Sequence, residues 1–125
     1  MRAIMPFLLL TLASCAPHGP AALQGPLPAM LAGLSAGTPR DCVPSRGSEP
    51  IRLTDDHTAV FRDGSTLWVN HLRAPCDAGD GFRTIVMEVH GGQYCRNDHF
   101  TLVDTTTAIP GPACFLGEWI PYTRS

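Results

Sequence analysis

The sequence predicts an all-β fold: a small antiparallel barrel or sandwich of about six short strands, stabilised by disulfides. Three observations carry that expectation. Twelve Gly and twelve Pro in 125 residues interrupt the chain too often for a helical bundle, since both residues weaken helix interiors. Short runs of β-branched and aromatic residues recur between turn residues, the pattern of closely spaced strands. Five Cys in so short a chain point to an oxidising compartment. The length allows a single folded domain, because ~100–200 residues is the usual allowance for one.

Taken in chain order, the first segment reads as an export signal over residues 1–14. Met1 and Arg2 give a short positive start, and Ile4 to Leu12 form an apolar stretch interrupted by Pro6 and Thr11, within the range of roughly 7–15 residues of a signal-peptide apolar region. It is shorter than the ~20 apolar residues a membrane span requires. Leu12-Ala13-Ser14-Cys15 resembles the lipobox of bacterial lipoproteins: a branched apolar residue, two small residues, and the Cys that is acylated and becomes the new N-terminus. Cys15 is therefore the expected lipidation site, the alternative being a plain secretory signal cleaved nearby. From residue 15 to residue 40 the chain is Pro, Gly and Ala with scattered Leu. That composition predicts a flexible tether carrying at most one helical turn around Ala29 to Leu34, with the folded domain spanning 41–125.

Within that domain the strand signals follow in turn. Pro50-Ile51-Arg52-Leu53 is a short run, and Thr58-Ala59-Val60-Phe61 and Thr66-Leu67-Trp68-Val69 flank Arg62-Asp63-Gly64-Ser65. Asp-Gly between such runs is a strong hairpin signal; a two-residue Asp63-Gly64 turn places Val60 opposite Leu67, Ala59 opposite Trp68, His71 opposite Asp56 and His57 opposite Asn70. Thr84 to Val89 alternates, with Ile85, Met87 and Val89 on one face and Thr84 and Glu88 on the other, as a half-buried strand does. Gly91-Gly92 turns the chain, Phe100 to Val103 is a further strand, and Ala113 to Ile120 is the last.

If Cys15 carries lipid, Cys42, Cys76, Cys95 and Cys114 remain, an even number suited to two disulfides. Four Cys allow three connectivities. The expected pairing is Cys76–Cys95, which brackets one strand, and Cys42–Cys114, which ties the start of the domain to its last strand. Zinc thiolate ligation is disfavoured because no two of the four stand as the close C-x₂₋₄-C pair such sites use.

The run from Cys42 through Ile51-Arg52-Leu53-Thr54-Asp55-Asp56-His57-Thr58-Ala59-Val60, then Leu67-Trp68-Val69 and Leu72 before Cys76, Tyr94-Cys95-Arg96-Asn97-Asp98, and Pro110-Gly111-Pro112-Ala113-Cys114 resembles a family of small proteobacterial exported proteins known as a domain of unknown function. The resemblance covers nearly the whole expected domain and rests on the relative positions of the four Cys and on the Asp-Asp-x-Thr turn. It implies Gly at position 97, where this chain has Asn, and a Pro-Asp-Leu run where this chain has Asp77-Ala78-Gly79. It implies a four-Cys exported β domain and transfers no catalytic residue.

The residues offer little to an enzyme of known design. Gly33-Leu34-Ser35-Ala36-Gly37 matches the G-x-S-x-G nucleophile elbow, and His90-Gly91-Gly92 matches an HGG-type oxyanion loop. The elbow, however, needs a strand entering and a helix leaving, and Pro28 and Pro39 flank this one. A Cys-His nucleophile requires a reduced, low-pKa thiolate; Asp55-Asp56 reads as a turn rather than an acid/base pair. No catalytic residue and no cofactor is expected. His is the commonest metal ligand, and His90, His99 and Asp98 are the weak metal candidates if the Gly91-Gly92 turn folds the chain back, while His57 and His71 point to opposite faces. The aromatic residues read as core, with Trp119 or Tyr122 near the C-terminus able to contact a partner. The net charge of −2, with every basic residue an Arg, gives no footprint for nucleic acid. The expectation is a non-catalytic binding or structural module, held to the membrane through its N-terminal lipid and facing the periplasm, with outer-membrane sorting permitted by Ala16. Its partner would be an envelope protein. A small inhibitor of an envelope hydrolase or lysozyme is the first alternative, distinguished by a rigid exposed loop, and a His-based metal-binding protein is the second.

Overall fold

The computed structural model describes residues 26–46, 49–77 and 83–125; the export signal, Cys15 and Phe82 lie outside these. The described residues form an all-β fold with a single turn of helix. The elements are α1 (Leu27–Met30), β1 (Leu34–Ala36), β2 (Cys42–Pro44), β3 (Arg52–Asp55), β4 (Thr58–Asp63), β5 (Thr66–His71), β6 (Arg83–Met87), β7 (Gln93–Cys95), β8 (His99–Asp104), β9 (Pro110–Phe115) and β10 (Trp119–Arg124). They build a five-stranded sheet in the order β1-β10-β5-β4-β3, a three-stranded sheet β6-β8-β9, and a two-stranded ladder β2-β7. Every pairing is antiparallel.

One core joins the three sheets. Ala59, Phe61, Trp68 and Trp119 from the five-stranded sheet pack with Phe100, Leu102 and Cys114 from the three-stranded sheet and Val43 from β2. At its centre Phe61 meets Trp119 edge-on, centroids 5.2 Å apart, and Tyr94 edge-on at 5.7 Å. Such pairs add about 0.5–1.5 kcal/mol each beyond the apolar area they bury. The alternating pattern along β4 and β5 leaves Val60, Leu67 and Val69 on the opposite face. There they form a second cluster with Met30 of α1, flanked by Leu27, Leu31, Leu34 and Tyr122.

That second cluster corrects the expected boundary at residue 41. Residues 26–40 do not run as a free tether: Met30 is buried, β1 pairs with β10 through Leu34↔Arg124, Ser35↔Thr123 and Ala36↔Tyr122, and Arg40 exchanges backbone hydrogen bonds of 2.8 and 2.9 Å with Trp119. The physical reason is that β5 and β4 are apolar on both faces, so one face needs a cover that the 41–125 segment lacks. The single turn expected near Ala29 to Leu34 falls at Leu27–Met30 and supplies it.

The strand expectations hold in kind and shift in detail. The hairpin turns at Gly64-Ser65, with Asp63 opposite Thr66, Phe61 opposite Trp68 and Val60 opposite Val69, two residues from the expected register. Gly64 has a φ of +56°, and a two-residue loop with Gly at its first position suits the strand twist. His71 accordingly faces Thr58, not Asp56, and Asn70 faces Ala59, not His57. The run Ala113–Ile120 is two strands, because residues 116–118 leave the β9 ladder and re-enter the five-stranded sheet at Trp119. Trp119 is fully buried and Tyr122 half-buried, so Trp119 is core and makes no exposed patch.

The disulfides are Cys42–Cys95 and Cys76–Cys114, not the expected Cys76–Cys95 and Cys42–Cys114. Cys42 and Cys95 are directly opposed residues of β2 and β7, two strands for which local sequence gave no signal. Cys76 is buried and held by its N–H on the Asp56 carbonyl at 2.6 Å, which leaves it beside Cys114 of β9. The turn after β7 places Asn97 at a φ of +71°, the left-handed region where Asn is among the few non-Gly residues tolerated. That explains how Asn serves where Gly is the expected residue.

Candidate functional site

The connection between β8 and β9 is the feature whose local chemistry goes beyond what folding requires. Residues 105–110 are all exposed, yet the segment is closely bonded to itself. The Asp104 carboxylate Oδ1 accepts from the Thr106 N–H at 2.7 Å and the Thr107 N–H at 3.0 Å. The Asp104 carbonyl accepts from the Ala108 N–H at 2.8 Å, and the Asp104 N–H donates to the Ile109 carbonyl at 3.2 Å. The Thr107 hydroxyl accepts from the Ile109 N–H at 3.4 Å. These bonds follow from sequence, because an Asp with Thr residues after it turns the chain by capping its own backbone. Ala108 stands at a φ of +58°, costing a non-Gly residue on the order of 1–3 kcal/mol. Strained backbone of this kind concentrates at functional sites.

Two consequences follow for recognition. Ile109 is held 64% exposed on a loop with little freedom left to lose, and binding costs less when the contact is already ordered. Beside the loop lies a shallow groove of about 360 Å³, bordered by Asp77, Arg83, Leu102, Asp104, Thr107 and the 109–112 segment. Arg83 Nη1 donates to the Asp77 carbonyl at 3.1 Å. The loop therefore offers an apolar tip with a polar, charged margin.

The same hydrogen bonds set the protonation of Asp104. The N–H groups of Thr107 and then Thr106 favour the charged carboxylate and hold its pKa below the ordinary value of 3.8, with a small further pull from Arg83. Because the folded value is depressed, the carboxylate's contribution to loop order is full above the ordinary carboxylate range and is lost as pH falls through the folded value. The expected result of an NMR titration is an Asp104 carboxyl that titrates below its ordinary value of 3.8, with the Thr106 and Thr107 amides shifting in step. A titration at or above the ordinary value refutes the cap.

The other sequence-derived candidates are not gathered into a site. His90 is exposed, with Nε2 3.9 Å from Glu88; the His99 ring lies 6.3 Å from that of Phe115; Asp98 Oδ2 accepts the Cys95 N–H at 2.8 Å. Among the described residues no group of three His, Cys, Asp or Glu is placed to hold a metal ion, so His90, His99 and Asp98 form no such cluster. Ser35 of the elbow-like motif lies in β1 with its hydroxyl 2.6 Å from that of Ser125; no strand enters and no helix leaves, as a nucleophile elbow demands. Asp55 accepts the His57 N–H at 2.7 Å, a turn bond. Sequence reasoning missed the β8–β9 loop, although Asp104 followed by three Thr was a readable signal. No family model, no curated protein and no solved structure matches this chain.

Proposed function

We propose that this chain is a bacterial envelope lipoprotein, acylated at Cys15 and facing the periplasm from the outer membrane, whose β domain is a non-catalytic binding module that presents the β8–β9 loop to a partner protein. The observation that supports it is Ile109, held exposed on a loop fixed by its own backbone and side-chain bonds. That same rigidity favours a sharper version in which the partner is an envelope hydrolase or lysozyme and the loop enters its cleft, because a plug must arrive already ordered. The lipid anchor would hold the domain near such enzymes.

Affinity capture from intact envelopes, with the native chain and Ile109→Asp side by side, tests the loop. The expected result is a discrete partner retained by the native chain and lost at least about tenfold with the variant, as for an apolar hot spot worth more than about 1.4 kcal/mol. Equal capture by both chains removes the loop from the reading. For the hydrolase version, an assay of lysozymes and envelope hydrolases with excess protein should show inhibition that Ile109→Asp abolishes; absence of inhibition sinks that version alone. The anchor is tested by metabolic labelling with palmitate, which should mark the native chain and not Cys15→Ser; equal labelling overturns the lipobox.

A further inference from the structure

We propose a phosphate-binding site on the face of the five-stranded sheet that turns away from the main core, in the cleft between the α1–β1 turn and the end of the β4–β5 hairpin. The strand register brings its members together. Arg62 pairs with Leu67, and Leu67 pairs with Tyr122; Arg124 pairs with Leu34. Residues that pair, and residues two apart on one strand, share a face. Arg62 and Arg124 therefore stand on the same face, on the two strands that flank β5, with Ser65 on the turn that joins β4 to β5. Arg62, Ser65, Thr123 and Arg124 all border one cleft of about 820 Å³, closed on the other side by Ala29, Met30, Ala32, Gly33 and Leu34.

Among the described residues its lining carries two guanidinium groups and no Asp or Glu side chain, with Ser125 beside Arg124. Arg52 pairs with Glu49, Arg96 with Asp41 and Glu118, Arg83 bonds the Asp77 carbonyl, Arg73 bonds Asn97, and Arg40 lies over the Trp68 ring. Neither Arg62 nor Arg124 has a carboxylate side chain within ion-pair distance among the described residues. In a chain of net charge −2, two cations gathered on one wall of a cleft disfavour each other, and a bound anion offsets that. On the opposite wall Gly33 has a φ of +75°, and neither Ala32 nor Gly33 donates a backbone hydrogen bond within the described residues. Consecutive amide N–H groups at a left-handed residue suit an anion. Two guanidinium groups, a hydroxyl and free amides match a phosphate group, which accepts several bonds at once, and guanidinium binds it bidentately. The apolar wall of Met30 and Leu34 leaves room for what the phosphate is attached to. That group is either the headgroup of an anionic phospholipid or a soluble phosphate ester.

The test uses the full-length chain carrying Cys15→Ser, so that no acyl chain contributes to binding. Titration with inorganic phosphate at low ionic strength should shift the amides of Ala32, Gly33, Ser65 and Arg124 saturably, with a Kd of about 1 mM. Arg62→Gln and Arg124→Gln should each weaken binding by about tenfold, the loss of one charge-assisted hydrogen bond, while near-UV circular dichroism stays native. Flotation with phosphatidylglycerol vesicles but not phosphatidylcholine vesicles, abolished in the double variant, assigns the phosphate to a lipid headgroup. Saturable phosphate binding without flotation assigns it to a soluble ester. The site is refuted if phosphate causes no saturable shift and vesicles are not bound, or if the double variant binds as the native chain does.

Discussion

Asn70→Leu is expected to lower the stability of the domain by about 3 kcal/mol, out of a total that for such domains is about 5–15 kcal/mol. Asn70 is fully buried in β5. Its Nδ2 donates to the Gly117 carbonyl at 2.8 Å and its Oδ1 accepts the Gly117 N–H at 2.8 Å. One side chain thus satisfies both backbone groups of a buried residue at the corner where the chain leaves β9 for β10. Leucine keeps the volume and gains apolar transfer energy, but it strands a buried N–H and a buried C=O at about 1–3 kcal/mol each. The corner accepts only glycine, because a Cβ at position 117 overlaps the His71 carbonyl oxygen. Gly117→Ala should therefore destabilise by a similar amount, and the two substitutions together should cost less than their sum, since both break the same clamp. Urea denaturation reads the outcome directly: a midpoint loss of roughly 1–3 M at the slope typical of small domains. An Asn70→Leu chain within about 0.5 kcal/mol of native, the range of ordinary surface substitutions, shows that the clamp does not hold the corner.

Removing the Cys76–Cys114 link by paired alanine substitutions should cost about 4 kcal/mol. Its 38-residue sequence separation gives that figure from the lost loop entropy of the unfolded chain, and both sulfurs leave a core in which Cys76 and Cys114 are buried. The Cys42–Cys95 link spans 53 residues and carries a similar entropic value, about 4 kcal/mol, but it joins residues already opposed in a ladder. The Cys76–Cys114 removal is therefore expected to be the more damaging of the two. Full reduction removes both and approaches the whole stability of a domain this small, so near-UV circular dichroism should collapse under reductant. Non-reducing peptide mapping decides the pairing itself. Peptides joined as Cys76–Cys95 or Cys42–Cys114 would contradict the fold described above.

Strand identity was largely legible, since β3, β4, β5, β6 and β8 each carry their own short run of β-forming and apolar residues. β1, β2 and β7 were not: each is three residues long, too short for a period to register. The hairpin slipped by two residues because Asp-Gly and Gly-Ser are both plausible turns on local chemistry, and the choice falls to Phe61 and Trp68 pairing over the core. A two-residue slip preserves each side chain's face, so the buried set along β4 and β5 was still readable. The candidate loop was legible in principle, as the Asp104 carboxylate caps the N–H groups of Thr106 and Thr107, two and three positions on. The phosphate cleft was not, because Arg62 and Arg124 come from strands far apart in the chain.

By itself the sequence determined the all-β class, the even set of Cys within the domain and the apolar faces of its hairpin, all of which depend on neighbours a few residues apart. Only the tertiary structure decided which Cys meet, that residues 26–40 close the second face of the sheet, and that Asn70 clamps Gly117 across 47 positions. Those outcomes turn on contacts between distant segments. They are chosen by which faces must be covered and which buried polar groups must find a partner, and local periodicity carries no information about either choice.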